Sequence, residues 1–317
     1  MLRDQDRPLT IAELAVATGL ARPTVEAVIG ELLETGPVRP ALPQRGSRAG
    51  RPARAYSFTA DAGRVAGIDV GSGSVRVRIA DLAGDIVGRA EAIVPAGIDG
   101  AGRLRVVRAT VRQAIRASGA DSADLRAAGI GVPGILDHDS RITQSLAVPD
   151  WIGADPADRL SASWGCPVLV ENDIKLAALA EQRLRADPAG AANQGPGAAS
   201  RGPGAAVDDD LVFLQLGHRI SAALVVNGAI LQGRHRLAGE LGSLRGMRWT
   251  ESSQRGRLRW RTGRTGQQVF ARARDGDRQA AAEIAEFCAE IAPRIAIIAL
   301  TVDPALIVIG GGLSRAG

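Results

Sequence analysis

The spacing of apolar positions near the start of the chain predicts two short helices. Thr10-Ile11-Ala12-Glu13 is a capping box, in which the Thr10 hydroxyl accepts from the Glu13 amide and Glu13 reaches back to the cap. Thr18-Gly19-Leu20 supplies a turn, and Pro23 suits the beginning of a second helix. Gly36-Pro37 ends that helix, whose apolar stripe recurs at helical spacing: Val25, Val28, Ile29, Leu32 and Leu33.

Two short helices joined by a Gly-containing turn are typical of a helix-turn-helix, whose second helix faces base edges with its N-terminal end. Arg22, Thr24 and Glu26 are the positions there that we expect to be exposed, so Arg22 and Thr24 are candidate DNA contacts. Residues 1–9 are too few for the additional helix that winged heads usually carry.

The segment 39–54 contains five arginines and no acidic residue: Arg39, Arg45, Arg48, Arg51 and Arg54. Gly50-Arg51-Pro52 is typical of the arginine-bearing motifs that enter narrow minor grooves. Tyr56 and Phe58 alternate as a strand that closes a wing. We therefore predict a winged helix-turn-helix DNA-binding domain over residues 1–58, with Arg48, Arg51 and Arg54 as further contacts. The alternative is a small helical cap followed by a solvated arginine-rich linker.

Beyond residue 64, apolar strands and amphipathic helices follow one another, which predicts an α/β body. Strands at 65–71 and 75–80 flank a turn that carries Asp69 and Gly71. Such a turn suits phosphate or metal handling by backbone amides and one carboxylate, or it is an ordinary β-hairpin. A third strand at 86–90 and a helix at 102–118 follow, with one apolar face: Leu104, Val107, Val111 and Ile115.

Composition narrows the class of protein. A chain of 317 residues that is 45% hydrophobic can bury two or three domain cores. It has no apolar run of about 18 residues and no signal-like start, so we predict a cytoplasmic protein that does not enter a membrane. The net charge of +5 indicates, weakly, a polyanionic partner. Cys166 and Cys288 are too few for a disulfide framework, and we expect both in the core.

The body resembles the ROK (repressor, open reading frame, kinase) family, because five motifs occur in that family's order and spacing. The resemblance covers residues 64–317, and the N-terminal helix-turn-helix fits the repressor branch. The motifs are Gly67-Ile68-Asp69-Val70-Gly71, Gly131-Val132-Pro133-Gly134, Val170-Glu171-Asn172-Asp173, Ala238-Gly239-Glu240-Leu241-Gly242 and the run from Asp303 to Gly312.

The resemblance implies a two-lobed, actin-like ATPase fold of the ROK sugar-kinase type, with a sugar in the cleft between the lobes. In ROK sugar kinases the residue matching Asp173 is the general base, and the one matching Asn172 holds a neighbouring hydroxyl. Glu240 matches the glutamate that grips sugar hydroxyls. We therefore predict sugar binding by Asn172, Asp173 and Glu240. Either Asn172 or Asp173 could also cap the apolar helix 174–184, and capping and ligand binding can coexist.

The chain departs from the family at its zinc-binding residues. Ser243 stands where a zinc-binding, sugar-contacting histidine is usual, and Thr250, Ser252 and Arg257 stand where cysteine ligands belong. A chain without these ligands is expected to bind no metal there. Arg259 replaces another sugar-binding glutamate, and its positive charge favours an anionic ligand.

The nucleotide side departs as well. Gly217-His218-Arg219-Ile220-Ser221 replaces the family's Gly-Thr-Gly phosphate loop, and the chain ends soon after Gly310-Gly311-Gly312, so we expect a C-terminally truncated body. Asp69, Gly71, Gly217 and Gly311 are vestigial nucleotide-binding positions. Asp173 is then a vestigial base in a protein with no catalytic residue and no cofactor. The Ala-, Gly- and Pro-rich stretch 186–210 is expected to be a flexible insert.

Together these observations predict a sugar-responsive transcriptional repressor with a catalytically degenerate, kinase-like ligand domain. Its expected partners are operator DNA, a sugar or sugar-phosphate effector and a second copy of the chain, in a homodimer or higher homo-oligomer. Two alternatives remain open at this point. One is an ATP-dependent sugar kinase, and the other is a degenerate ROK remnant without regulated function.

Overall fold

The computed structural model describes residues 2–5, 7–42, 54–186, 210–242, 249–251, 253 and 257–315. The predicted contacts Arg48 and Arg51 and most of the predicted insert lie outside these ranges. The chain forms two compact units, Met1–Ile130 with Pro156–Leu169 and Gly131–Asp155 with Val170–Gly317. Within the described ranges, every helix is too short or too polar to cross a bilayer.

The N-terminal head is the predicted helix-turn-helix with a wing. It contains β1 (Leu9–Thr10), α1 (Ile11–Thr18), α2 (Arg22–Thr35), β2 (Val38–Ala41) and β3 (Ala55–Phe58). β3 lies between β1 and β2 and pairs with both in antiparallel fashion. The buried core of the head joins both helices to the sheet: Leu9, Leu14, Val25, Ile29, Val38 and Tyr56.

The predicted capping box is present at the start of α1. The Thr10 amide donates to Glu13 Oε2 at 2.7 Å, and the Glu13 amide donates to Thr10 Oγ1 at 3.3 Å. The Thr10 backbone and hydroxyl donors, together with Arg7 at 2.8 Å, lower the pKa of Glu13 to about 2. Gly19 then adopts the left-handed conformation, with φ 70°, that turns the chain into α2.

The prediction of a buried stripe on α2 is wrong at one position, Val28. Val28 is 45% exposed, whereas Val25 and Ile29 are buried. Val28 lies at one margin of the apolar stripe, and the small core of the head covers only the centre of that stripe.

The rest of the first unit is a sheet covered by one long helix. Its elements are β4 (Arg64–Val70), β5 (Ser74–Asp81), β6 (Ile86–Ile93), α3 (Gly100–Ala117), β7 (Leu125–Val132) and α4 (Pro156–Trp164). The strand order is β10-β7-β4-β5-β6, where β10 is Val168–Asn172. The predicted apolar face of α3 is buried as expected. Gly88 of β6 permits close packing, since a Cβ there would lie 2.3 Å from the Ala114 carbonyl oxygen of α3.

The second unit is built on a four-stranded sheet of order β13-β12-β11-β14. Its strands are β11 (Leu211–Leu216), β12 (Ile220–Val226), β13 (Ala229–Ile230) and β14 (Leu306–Gly310), beside a small hairpin of β8 (Ile135–Leu136) and β9 (Ile142–Gln144). β11 pairs with β12 in antiparallel and with β14 in parallel fashion. The helices are α5 (Asp173–Ala186), α6 (Gly266–Arg274) and α7 (Arg278–Val302).

The central strand β11 carries apolar side chains on both faces. Val212 and Leu214 belong to the buried cluster that includes Phe287 of α7. Leu211 belongs to a second cluster, which includes Ile174 of α5. Because successive strand residues point to opposite faces, one continuous apolar run packs against two helices.

The two cysteines differ in their surroundings. Cys166 is buried as predicted, but the prediction for Cys288 is wrong, because this side chain is exposed on α7. Cys288 follows the buried Phe287, and one helical step of about 100° turns it towards solvent.

Acidic side chains of α7 hold the segment that precedes α6. Glu283 is 6% exposed and accepts from the Arg261 amide at 2.5 Å, the Thr262 amide at 2.9 Å and the Thr262 hydroxyl at 2.5 Å. Burial raises the pKa of Glu283, but these donors and the Arg261 charge outweigh burial and lower the pKa below its ordinary 4.5. Earlier in the chain, the Glu251 amide donates to Glu290 of α7 at 2.6 Å.

We expect Glu13→Ala to destabilise the head locally. Loss of the capping box costs about 1 kcal/mol, so amide hydrogen exchange in α1 should accelerate about fivefold. Because folding depresses the pKa of Glu13, its stabilisation is complete above pH 4.5 and is lost as the pH falls towards 2. Exchange rates that are unchanged in Glu13→Ala would contradict this. Glu34→Ala, at an exposed position of α2, is the control.

We expect Glu283→Gln to lower the melting temperature by roughly 4–8 °C, because an amide group cannot accept from all three donors and hydrogen bonds to a charged group contribute about 1.5–3 kcal/mol. The matched control is Glu286→Gln, which removes an exposed ion pair with Arg261 and should shift the melting temperature little. Equal shifts in the two variants, measured by calorimetry, would contradict the role of Glu283.

Candidate functional site

The motif at the start of α5 combines a helix cap with a candidate ligand site. Asn172 is 7% exposed, and its Oδ1 accepts from the amides of Ile174 and Lys175, each at 3.0 Å. Its Nδ2 donates to the Gly134 carbonyl oxygen at 2.9 Å. Asn172 therefore caps α5, and it also joins two of the family motifs. The Asp173 carboxylate accepts from the Ile174 amide as well, at 3.0 Å. Among the described residues Nδ2 donates to Gly134 alone, so its second hydrogen is available to a ligand.

Asp173 is the first residue of α5 and is half-buried. A carboxylate in the first turn of a helix is favoured by the helix dipole. Gly134, beside this turn, permits a close approach of the β9 backbone, because a Cβ there would lie 2.8 Å from the Gln144 carbonyl oxygen. Since the Gly134 carbonyl oxygen accepts from Asn172, the hairpin of β8 and β9 begins next to the capping asparagine.

Glu240 lies in the loop 231–242, which the structure brings to the same end of α5. The loop backbone packs closely on β12, since Gly239 has φ 85° and a Cβ there would lie 2.6 Å from the Ala222 carbonyl oxygen. The Glu240 carboxylate is near enough to Lys175 to raise the pKa of that lysine. The first turn of α5 and the Glu240 loop therefore form one polar region of the second unit.

This polar region contains a network that the sequence did not predict. Lys175 is 3% exposed, and its Nζ donates to Gln232 Oε1 at 2.7 Å and to the Arg236 carbonyl oxygen at 3.2 Å. Glu171 Oε2 accepts from Gln232 Nε2 at 2.6 Å and from Arg236 at 2.8 Å. Burial lowers the pKa of Lys175, and together with the charge of Arg236 it outweighs the opposite effect of Glu171 and Glu240. The one available signal was that Lys175 is the only lysine of the chain.

Two of the predicted nucleotide-binding positions lie together in the second unit. β11 and β14 run parallel, so Gly217 and Gly311 follow neighbouring strand ends. Gly311 has φ 96°, and a Cβ there would lie 2.5 Å from the Leu216 carbonyl oxygen. A Cβ at Gly310 would lie 2.7 Å from the Phe213 ring. Packing therefore requires glycine at positions 310 and 311, independently of any nucleotide. His218, which follows Gly217, is exposed.

The other two predicted nucleotide-binding positions lie in the hairpin of β4 and β5 in the first unit. The Asp69 carboxylate accepts from Arg76 Nη1 at 2.9 Å, and the same arginine pairs with Glu91 at 3.1 Å. The Gly71 amide donates to the Ser74 carbonyl oxygen at 2.9 Å, and the Gly71 carbonyl oxygen accepts from the buried Arg103 at 2.9 Å. Internal contacts thus engage the polar groups that a phosphate or metal would use.

The residues at the family's zinc positions do not fit zinc. The buried Thr250 forms a closed turn with Ser253, whose hydroxyl accepts from the Thr250 amide at 3.0 Å and donates to its carbonyl oxygen at 2.9 Å. Arg257 is exposed, and Ser243 and Ser252 lie outside the described ranges. Within those ranges, no three His, Cys, Asp or Glu side chains gather as metal ligands. Hydroxyl groups and a guanidinium are not the nitrogen and thiolate ligands of structural zinc.

The predicted DNA contacts lie on the surface of the head where they can be described. Arg22, Thr24 and Glu26 are exposed at the N-terminal end of α2, and Arg54 is exposed just before β3. Ala21 is the N-cap of α2, and no side chain caps the helix among the described residues. The first amides of α2 and the Arg22 guanidinium together suit a phosphate group.

Comparison with known proteins matches the chain to the ROK family over residues 65–193 and 243–317. Residues 1–41 match the IclR helix-turn-helix domain. The glucokinase of Halalkalibacterium halodurans is 26% identical over 286 residues, which cover 79% of this chain and 81% of that enzyme. The xylose repressor of Caldicellulosiruptor bescii is 22% identical over 70% of this chain, which spans 51% of that repressor.

Solved structures show the same fold. A ROK family transcriptional regulator, a homologue of the Escherichia coli Mlc protein, matches 99% of this chain and 82% of its own with a TM-score of 0.70 and 20% identity. The ROK glucokinase of Streptomyces griseus, solved with glucose and AMPPNP, matches 80% of this chain and 85% of its own with a TM-score of 0.60 and 21% identity. The chain belongs to the ROK family and carries an IclR-type helix-turn-helix ahead of its sugar-kinase-like, actin-type fold.

Proposed function

We propose that the protein is a sugar-responsive transcriptional repressor. The observation that carries the proposal is the combination, in one chain, of a winged helix-turn-helix with exposed Arg22 and Thr24 and a ROK body that retains Asn172, Asp173 and Glu240. The proposed division is a DNA-binding domain at 1–58 and a ligand domain at 64–317. The likeness to a xylose repressor and to a ROK regulator supports this division of roles.

On the DNA side, the N-terminal end of α2 enters the major groove and Arg54 of the wing contacts the backbone. Arg48 and Arg51 extend this contact to a minor groove in the proposal. Phosphate contacts from arginines supply affinity, and the side chains at the start of α2 supply base readout. Two heads of a homodimer or higher homo-oligomer engage two half-sites of an operator, as dimeric helix-turn-helix proteins do.

On the ligand side, Asp173 and Glu240 accept hydrogen bonds from the hydroxyls of a sugar or sugar phosphate, and Asn172 donates its remaining amide hydrogen. Carboxylates suit this role because they accept several hydrogen bonds each. The effector changes operator affinity only if it binds the DNA-competent and DNA-incompetent states with different affinity. We also propose that the protein is cytoplasmic and has no membrane partner.

The same residues bear on the alternative of an ATP-dependent sugar kinase. The relative named as a glucokinase and the presence of Asp173 favour it. Three observations favour a regulator instead: Asp69 pairs with Arg76, His218 and Arg219 follow Gly217, and the zinc positions do not fit zinc. We therefore propose that catalysis has been lost and that Asp173 binds a ligand without acting as a base.

We expect the protein to bind DNA from the region upstream of its own gene, and Arg22→Ala to weaken that binding about tenfold or more. Loss of a phosphate contact should also reduce the slope of log Kd against log salt by about one. Fluorescence anisotropy across a salt series measures both. The control, Arg112→Ala, removes an exposed arginine of α3 and should leave both unchanged. Equal binding by wild type and Arg22→Ala would contradict the proposal.

We expect one of glucose, xylose or N-acetylglucosamine to change operator affinity in the wild type. Asp173→Asn should weaken binding of that sugar at least tenfold, because an amide accepts fewer hydrogen bonds than a carboxylate. Isothermal titration measures sugar affinity, and Asp139→Asn, at an exposed position of the same unit, is the control. No effect of any sugar would contradict the switch. Sugar-dependent release of ADP from ATP, abolished in Asp173→Asn, would establish the kinase instead.

A further inference from the structure

The loop that carries Glu240 is held in an unusual backbone conformation. Gly233 and Gly239 have φ values of 69° and 85°, which glycine adopts readily. Arg236 lies between them and has φ 57°. Residues other than glycine, asparagine and aspartate rarely adopt this left-handed backbone conformation. A residue stays in such a conformation only where the surrounding contacts hold it there.

The contacts that hold Arg236 come from α5 and from the end of β10. Lys175 Nζ donates to the Arg236 carbonyl oxygen at 3.2 Å, and Glu171 Oε2 accepts from the Arg236 guanidinium at 2.8 Å. Gln232 bridges the two, since it accepts from Lys175 at 2.7 Å and donates to Glu171 at 2.6 Å. The loop is thus fixed through its backbone and through two of its side chains.

The same contacts reach the capped first turn of α5. Glu171 Oε1 accepts from the Asn172 amide at 2.8 Å, and Asn172 Oδ1 accepts from the Lys175 amide at 3.0 Å. Lys175 therefore lies two residues after Asp173 in α5 and is bonded to the loop 231–242, which carries Glu240. Its charge attracts both Glu171 and Glu240.

We propose that Lys175 is a positioning residue, which fixes the loop 231–242 so that Glu240 is held beside Asn172 and Asp173. The buried ammonium group does not contact the sugar in this proposal. It acts through Gln232 and the Arg236 backbone, and its charge limits the repulsion between Glu240 and Glu171. This inference deepens the proposed function and rests on it for the ligand.

The main test compares Lys175→Met with Lys175→Arg in the full chain. Methionine keeps the buried apolar stem and removes the donors and the charge, whereas arginine keeps both. In Lys175→Met we expect amide exchange in residues 231–242 to accelerate at least tenfold. We expect its affinity for the sugar that the wild type binds, among glucose, xylose and N-acetylglucosamine, to fall at least tenfold. Lys175→Arg should restore both to within about threefold of wild type.

The control is Gln182→Met, which replaces another buried polar side chain of α5. It should leave exchange in residues 231–242 and the sugar affinity unchanged, even if it lowers the melting temperature. Equal losses in Gln182→Met and Lys175→Met would mean general destabilisation and would overturn the proposal. Unchanged loop exchange in Lys175→Met would overturn it as well. If the wild type binds none of the three sugars, the proposed function fails, while the loop exchange still decides the positioning role.

Discussion

A buried positive charge at the beginning of α5 constrains the arrangement of the second unit around its polar region. An ammonium group at 3% exposure is tolerated only where acceptors and an opposite charge surround it. Gln232 and the Arg236 carbonyl oxygen are the acceptors, and Glu171 is the nearby anion. The conformations of the α5 cap, the end of β10 and the loop 231–242 therefore depend on one another. A change in one of them leaves a buried charge or donor without its partner.

Family motifs and packing requirements overlap in this chain, and the overlap affects how the motifs are interpreted. Gly310 and Gly311 permit close contacts with Phe213 and the Leu216 backbone, so any chain with this packing needs them. Their presence does not indicate nucleotide binding. His218, by contrast, is exposed in a turn where packing makes no such demand. The departure from the family's phosphate loop at His218 therefore bears more directly on function than the retained Gly310 and Gly311 do.

The sequence predicted the elements whose signals are local or periodic. The capping box at Thr10, the buried face of α3 and the strand through Tyr56 and Phe58 follow from short-range geometry, and the structure has all three. Val28 and Cys288 were misplaced because the width of a buried stripe depends on the partner that covers it. The bonds that Asn172 and Asp173 make at the start of α5 could be assigned only from the folded structure. The same is true of the pairing of Lys175 with Gln232 and Arg236, which are 57 and 61 positions away in the sequence.

The burial of the only lysine leaves arginine as the sole source of basic side chains on the surface, apart from histidine. Guanidinium groups stay charged at any pH the cell reaches, and acetyl transfer to lysine cannot neutralise them. The positive charge of the head therefore comes from arginines alone and does not respond to acylation. Within the given sequence, the acylation of lysine side chains has no exposed target. Under the proposed function, a change in DNA affinity would therefore come from conformation, assembly or added negative charge.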